Sequence, residues 1–102
     1  MKITAAVVHS RSGPFQIETL DLCDQRADEL LVEVVASGMC ATDLHGRDAY
    51  YPTQFPKVFG HEGAGIVRAV GSAVNNFRPG DHVVMSYPWC GICPNCRTHR
   101  KI

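Results

Sequence analysis

Stretches rich in apolar and β-branched residues alternate along the chain with short polar stretches that contain glycine and proline. The apolar stretches have the length and composition of β-strands, and the polar ones have the composition of turns. Ser12-Gly13-Pro14 is one such break, and the polar residues 24–28 form another. We therefore predict strands over five segments, residues 2–8, 15–22, 29–36, 63–70 and 82–86.

The pattern changes after residue 38, where the β-branched residues become fewer. Residues 39–48 suit a short helix, with Thr42 or Asp43 as its N-terminal cap. Residues 78–81, Arg-Pro-Gly-Asp, predict a tight turn because proline presets φ and glycine accepts positive φ. The cysteine-rich segment 90–96 predicts a knuckle and not a strand. The chain is therefore predicted to be mainly β with short helices.

The composition limits the classes of function. A chain of 102 residues has the length of one small domain, and 45% hydrophobic residues is ordinary for a globular protein. Ten acidic and ten basic residues balance, so no basic surface for nucleic acid is predicted. No stretch has the length of a membrane span, and the first apolar segment is too short for a signal peptide. We expect a cytoplasmic protein that binds a small molecule or another protein.

Three of the five cysteines lie at a three-residue period: Cys90, Cys93 and Cys96. In a reducing compartment this spacing predicts a metal site, because a tight loop can direct several thiolates at one cation. A structural zinc needs four ligands, and the fourth is either His99 or a residue beyond the end of this sequence. Arg100 and Lys101 occupy the positions where a bacterial ferredoxin motif would continue, which disfavours an iron–sulfur cluster. Three reduced cysteines without a metal are the alternative.

A second group of candidate residues is divided between segment 38–45, Gly-Met-Cys-Ala-Thr-Asp-Leu-His, and segment 60–65, Gly-His-Glu-Gly-Ala-Gly. The second segment, extended through Gly71 and Val74, resembles the signature of zinc-dependent alcohol dehydrogenases. The first resembles the segment that supplies the catalytic cysteine in the same family, the medium-chain dehydrogenases with a GroES-like catalytic domain. The Pro-Gly-Asp turn and the cysteine knuckle follow in the order that this family has.

The resemblance implies a catalytic zinc site. Cys40 and His61 would be two of its ligands and a downstream cysteine the third, a ligand set already known for alcohol dehydrogenase. Glu62 would lie beside the zinc as an alternate ligand or as a neighbour of the ligands. Asp43 would hydrogen-bond the ligand histidine and fix its tautomer. Zinc would thus be a cofactor at two sites, one catalytic and one structural at the knuckle.

The resemblance also implies a reaction, in which an alcohol loses a hydride to NAD or NADP and becomes an aldehyde or ketone. Thr42 would take the proton of the alcohol, and His45 would pass it through the cofactor ribose to water, so that His45 would also contact the cofactor. The partner would be a small-molecule alcohol or aldehyde, with no nucleic acid and no membrane. Whether the parent enzyme is a homo-oligomer stays open.

By the same resemblance, residues 1–102 are the N-terminal part of a GroES-like catalytic domain, a partial barrel in which residues 87–102 are a truncated structural-zinc lobe. The chain stops without a helix cap or a polar tail, as if cut, and it lacks the Rossmann domain of the family. We therefore expect the 102 residues alone to be inactive. The alternatives are a small non-catalytic zinc-binding module and a co-chaperonin-like protein. Thr42 and His45 beside Cys40 favour the enzyme.

Overall fold

The computed structural model describes residues 1–87 and 89–98, which contain six strands and two short helices. The strands are β1 (Lys2–Val8), β2 (Gln16–Asp21), β3 (Leu30–Ser37), β4 (Lys57–Val58), β5 (Gly63–Val70) and β6 (His82–Val84); the helices are α1 (Ala41–Arg47) and α2 (Pro94–Arg97). β1 and β5 coincide with the predicted segments, and β2 and β3 differ by one residue at each end. β6 ends two residues earlier than predicted. The prediction of a mainly β fold with short helices is confirmed.

The strands form two antiparallel three-stranded sheets, with the orders β2-β1-β4 and β3-β5-β6. In the first sheet, β1 and β2 pair from Lys2↔Asp21 to Val7↔Gln16. The sequence did not predict β4, which joins the other edge of β1, because a two-residue strand carries no measurable periodicity. This short strand leads directly into the segment that contains the candidate ligand His61.

In the second sheet, β3 and β5 pair along their length, from Leu30↔Val70 to Ser37↔Gly63. β6 pairs with the opposite edge of β5. Gly65 allows close approach of the two central strands, because a Cβ atom at that position would collide with the carbonyl oxygen of Glu33. The pairing at the Ser37 end decides which loops of the chain meet.

The buried core is small and centres on three valines, of which Val8 and Val67 are fully buried and Val7 nearly so. Removing a valine side chain from water contributes about 1.5 to 3 kcal/mol, so β1 and β5 hold the centre of the fold. The predicted turn at residues 78–81 is confirmed: the Asp81 N–H donates to the Arg78 carbonyl at 3.1 Å, and Gly80 has φ +97°. Within the described residues, no helix is long and apolar enough to cross a membrane.

α1 lies inside the predicted segment 39–48, but the predicted cap at Thr42 or Asp43 is wrong. Cys40 is the N-cap, with the extended angles φ −117° and ψ 147°, and Thr42 and Asp43 belong to the first turn. The carboxylate of Asp43 instead accepts a hydrogen bond from the Cys40 N–H at 3.2 Å. Asp43 therefore stabilises the helix start from the third helical position, as the reciprocal partner does in a capping box.

The prediction that the cysteine segment is not a strand is confirmed. The segment also contains the helix α2, which was not predicted. Cys93 is the N-cap of α2, and its sulfur accepts a hydrogen bond from the Cys96 N–H at 3.4 Å. Pro94 occupies the first helical position, where a missing N–H costs nothing. The helix turns the thiol of Cys96 inward, and this residue is buried.

Candidate functional site

Cys40 and His61 are brought together by the ends of β3 and β5. Ser37 pairs with Gly63, and one residue further on the Gly38 N–H donates to the Glu62 carbonyl at 2.9 Å. The chain leaves β3 and enters α1 at Cys40, two residues after this hydrogen bond. Later in the sequence, the chain passes through His61 two residues before β5 begins at Gly63. The strand register therefore places two segments that lie about twenty residues apart beside each other.

Two glycines make this approach possible. Gly60 has φ +128°, a conformation that side chains with a Cβ rarely adopt, and it directs the chain into His61. At Gly38 an added Cβ would lie 3.0 Å from the Oε2 atom and 3.1 Å from the Cβ atom of Glu62. Gly38 therefore leaves the space that the Glu62 side chain occupies.

The side chains of Cys40, His61 and Glu62 converge. Their ligand atoms, one sulfur, one imidazole nitrogen and one carboxylate oxygen, all lie within 4.8 Å of one another. Cys40 and His61 are half-buried, whereas Glu62 is exposed. Sulfur, nitrogen and oxygen are the donor types that zinc uses in proteins. The arrangement has the chemistry of an open metal site.

Asp43 contacts both of the half-buried candidate ligands. Its Oδ2 atom accepts the hydrogen bond from the Cys40 N–H, and its Oδ1 atom lies 3.4 Å from Nδ1 of His61. The side chains of His61 and Asp43 are 22% and 17% exposed. One carboxylate thus orients the backbone of one candidate ligand and the ring of the other.

The thiol of Cys40 lies in an environment that favours its ionised form. Its sulfur is 2.7 Å from the hydroxyl oxygen of Thr42, and this hydrogen bond, followed by one from the Thr42 backbone, lowers the pKa of Cys40. The pKa of His61 is raised, first by its hydrogen bond with Cys40 and then by the nearby carboxylates of Asp43 and Glu62. A cation that binds here must replace the proton of His61, so binding should strengthen as the pH rises.

Aromatic rings contact two of the histidines. The ring of Tyr87 stacks on His61, with 5.2 Å between centroids and an angle of 17°. Tyr50 meets His45 edge-on, with 5.4 Å between centroids. His45 lies three residues after Thr42 on α1, and residues at this spacing lie on one face of a helix.

An open groove lies beside the start of α1. It has a volume of about 460 Å³ and is lined by Phe15, Met39, Cys40, Ala41, Asp43 and Leu44. Met39 is 91% exposed at its rim. Apolar side chains dominate this lining, so the groove suits an apolar group more than a charged one.

The cysteine knuckle forms a second cluster, in which the ligand atoms of Cys90, Cys93 and Cys96 also lie within 4.8 Å of one another. The two outer sulfurs, of Cys90 and Cys96, are 3.7 Å apart, and the Cys93 N–H donates to the Cys90 sulfur at 3.3 Å. Backbone hydrogen bonds from Ile92 and Cys93 lower the pKa of Cys90 to about 7. His99, the suggested fourth ligand, lies outside the described residues.

Comparison with known proteins identifies the domain. The family model described as "Alcohol dehydrogenase GroES-like domain" matches residues 26–102, which is most of the chain. The chain belongs to this GroES-like domain family. The NDMA-dependent alcohol dehydrogenase of Amycolatopsis methanolica is 48% identical over 102 residues, which are 99% of this chain and 28% of that relative. The chain thus spans little more than a quarter of this relative.

Solved structures agree with this membership. The benzyl alcohol dehydrogenase of Acinetobacter calcoaceticus has a TM-score of 0.91 and 47% identity, covering 96% of this GroES-like chain and 27% of that chain. The structure of CAD from Helicobacter pylori complexed with NADP(H) has a TM-score of 0.85 and 25% identity, over 98% of this chain and 30% of that chain. The predicted GroES-like fold is therefore confirmed.

Of the residues predicted from the sequence, the GroES-like domain gathers Cys40, His61 and Glu62 into one cluster, with Thr42 and Asp43 in contact with it; the second cluster contains Cys90, Cys93 and Cys96. His45 lies on the same helix and contacts Tyr50. The stacking of Tyr87 on His61 was not predicted. No periodicity or spacing could have indicated it, because Tyr87 lies in an irregular segment whose path depends on the second sheet. The roles of all these residues stay predictions.

Proposed function

We propose that this chain forms part of a zinc-dependent alcohol dehydrogenase, which oxidises an alcohol to an aldehyde or ketone with hydride transfer to NAD or NADP. The observation that carries the proposal is the convergence of Cys40, His61 and Glu62 within 4.8 Å, beside the hydroxyl of Thr42. A metal ligand set next to a hydroxyl that can relay a proton suits the deprotonation step of alcohol oxidation. Family membership supports the same reaction class.

The residues fit a zinc ion. Four ligands around zinc at about 2.0 to 2.3 Å would be separated by about 3.3 to 3.8 Å in a tetrahedron. The three donor atoms of this cluster are within 4.8 Å of one another, so small side-chain rotations suffice to reach that spacing. The lowered pKa of Cys40 favours the thiolate that zinc needs. We assign Cys40 and His61 as ligands and Glu62 as the alternate ligand.

The proton of the alcohol is assigned to Thr42 and His45. A zinc ion bound at Cys40 and His61 would supply a Lewis acid that lowers the pKa of the alcohol. The Thr42 hydroxyl is 2.7 Å from the Cys40 sulfur, so it lies beside the place where an alcohol would react. The Thr42 oxygen would take the proton of the alcohol as its own hydroxyl proton moves on, and His45, further along the same face of α1, would contact the cofactor ribose and pass a proton to water.

The carboxylate of Asp43 has a positioning role. Asp43 holds the Cys40 backbone and the His61 ring through its two oxygens. A carboxylate that accepts from the second nitrogen of a ligand histidine fixes the tautomer and the orientation of the ring. We therefore assign Asp43 to preserve the geometry of both ligands.

The knuckle is assigned as a structural zinc site with Cys90, Cys93 and Cys96 as ligands. Its three sulfurs lie within one short loop, and backbone N–H groups of the loop donate to the sulfurs of Cys90 and Cys93. The fourth ligand is His99 or a residue outside this sequence. Residues 87–102 would then form the structural-zinc lobe of a GroES-like domain whose N-terminal part is residues 1–102.

The free thiols and the small size of the chain bear on its location and its activity. All five cysteines lie in the described residues and none is in a disulfide, which suits the reducing cytoplasm. All strand pairs among the described residues are antiparallel, so these residues supply no doubly wound nucleotide-binding sheet. We propose that the 102 residues need the rest of the enzyme for turnover on a small-molecule alcohol.

The test is an assay of the natural full-length protein that contains these residues. Zinc-loaded protein is mixed with benzyl alcohol or an aliphatic alcohol, and reduction of NAD and of NADP is followed at neutral pH. A parallel series contains NDMA, because the Amycolatopsis relative is named as NDMA-dependent. Turnover that Cys40→Ala abolishes supports the proposal. No turnover in any series, or turnover that survives Cys40→Ala, contradicts it.

A further inference from the structure

The side chain of Tyr51 reaches back from the loop after α1 to the first turn of that helix. Its hydroxyl donates a hydrogen bond to the carbonyl oxygen of Thr42 at 2.9 Å, across nine residues of sequence. Tyr51 is 39% exposed, so this hydrogen bond lies at the surface of the protein. This bond fixes the backbone of the residue whose hydroxyl we assign as proton acceptor.

The structure reserves a space for this hydroxyl. Gly46 is buried, and a Cβ atom there would collide with the hydroxyl oxygen of Tyr51 and with the ring of Phe59. Glycine in the middle of a helix costs about 0.5 to 1 kcal/mol relative to alanine. Gly46, although unfavourable in a helix, thus provides the space that the Tyr51 hydroxyl occupies, one helical turn beyond Thr42.

The two ends of α1 are held by different parts of the protein. The C-terminal end is attached to the loop after β1: the Ser12 N–H donates to the Arg47 carbonyl at 2.8 Å, and the Ser12 hydroxyl donates to the Asp48 carboxylate at 2.9 Å. The N-terminal turn is held by Asp43 on its His61 side and by Tyr51 at the Thr42 carbonyl. The Thr42 hydroxyl itself lies 2.7 Å from the Cys40 sulfur, and Tyr51 adds a separate restraint at the Thr42 carbonyl.

We infer that Tyr51 is a positioning residue for Thr42, which keeps the Thr42 hydroxyl directed at the reacting oxygen during proton removal. The inference rests on the proposed function, because it concerns the proton step of alcohol oxidation. A helix of seven residues has little stability of its own, so an added restraint on its first turn changes how tightly Thr42 is held. Tyr51 acts through the backbone and does not itself exchange a proton.

The test is Tyr51→Phe in the natural full-length protein, which removes the hydroxyl and keeps the ring. The control is Thr19→Val, which also removes one hydroxyl group, from an exposed residue of β2 that lies in the first sheet and not in the site. We expect Tyr51→Phe to lower kcat about fivefold, the change that one net hydrogen bond of about 1 kcal/mol represents at about 1.4 kcal/mol per tenfold. KM for the alcohol and the zinc content should stay the same, and the solvent isotope effect on kcat should rise.

A second readout does not depend on turnover. Three-bond couplings to the labelled Thr42 methyl group report the χ1 rotamer, and they should indicate one rotamer in the native protein and averaging in Tyr51→Phe. Thr19→Val should resemble the native protein in both experiments. An active enzyme in which Tyr51→Phe leaves kcat, the isotope effect and the couplings unchanged contradicts this inference alone. A loss confined to KM or to zinc content also contradicts it, whereas a native protein that oxidises no alcohol contradicts the proposed function and the inference together.

Discussion

Replacing Asp43 by asparagine should weaken zinc binding at the Cys40 and His61 site. Asparagine keeps an oxygen that can accept the Cys40 N–H, but it has no negative charge to place 3.4 Å from Nδ1 of His61. Removing the partner of a ligand histidine costs about 10- to 100-fold in metal affinity. We expect a loss of about tenfold for Asp43→Asn. Asp43→Ala, which also loses the hydrogen bond to Cys40, should lose about a hundredfold.

The loss should depend on pH with a definite sign. The pKa of His61 is raised by its hydrogen bond with Cys40 and, to a smaller extent, by the charge of Asp43, and in the native protein a proton competes with zinc for this ring. Without the charge of Asp43 the pKa of His61 falls and the competing proton binds more weakly. The ratio of the two dissociation constants, Asp43→Asn over native, should therefore be smaller at pH 6 than at pH 8.

The assay is a chelator competition on the natural full-length protein, and the catalytic-site zinc is defined as the equivalent that Cys40→Ala lacks. The control is Asp21→Asn, which removes a carboxylate that lies 2.8 Å from Lys2 on the exposed hairpin of β1 and β2. This variant should bind zinc as the native protein does. If Asp43→Asn binds the catalytic-site zinc like the native protein at pH 8, or if Asp21→Asn loses as much, the positioning role of Asp43 is refuted.

Three further predictions concern the proton step and the packing of the fold. Thr42→Ala should lower kcat by about 100-fold with little change in alcohol binding, whereas Thr42→Ser should retain most of the rate. Steady-state kinetics measure both variants, and an unchanged kcat in Thr42→Ala would mean that Thr42 only shapes the helix. Val67→Ala should destabilise the fold by about 2 kcal/mol because Val67 is fully buried, whereas Val84→Ala, at 84% exposure, should change stability by less than about 0.5 kcal/mol. Thermal unfolding compares the two, and equal midpoints would place the core elsewhere. Gly71→Ala should lower the same midpoint as much as Val67→Ala or more, because its Cβ would collide with the carbonyl oxygens of Arg26 and Ala27.

The sequence predicted the long strands well because their composition and their glycine and proline boundaries are local properties. β1 and β5 have the predicted bounds. It missed β4, since the two residues Lys57–Val58 become a strand only by pairing with β1. It also misplaced the cap of α1, because cysteine is an uncommon N-cap and the deciding hydrogen bond is one that the side chain of Asp43 accepts from the Cys40 N–H.

The candidate site was predictable in its residue types but not in its geometry. Motif resemblance singled out Cys40 and His61, yet their proximity depends on the pairing of Ser37 with Gly63, which is a contact between distant parts of the chain. The contacts of Tyr51 with Thr42 and of Tyr87 with His61 arise from irregular segments. Such segments carry no periodic signal, so only the folded chain shows where their side chains point.

Anomalous diffraction at the zinc edge, from crystals of the natural full-length protein in a form that oxidises alcohol, would show whether Cys40 and His61 hold a zinc ion. We expect one zinc bonded to the sulfur of Cys40 and a ring nitrogen of His61, and a second bonded to the sulfurs of Cys90, Cys93 and Cys96. Zinc–sulfur bonds should be about 2.3 Å and zinc–nitrogen bonds about 2.0 to 2.1 Å. An active enzyme with no zinc at Cys40 and His61 would contradict the account.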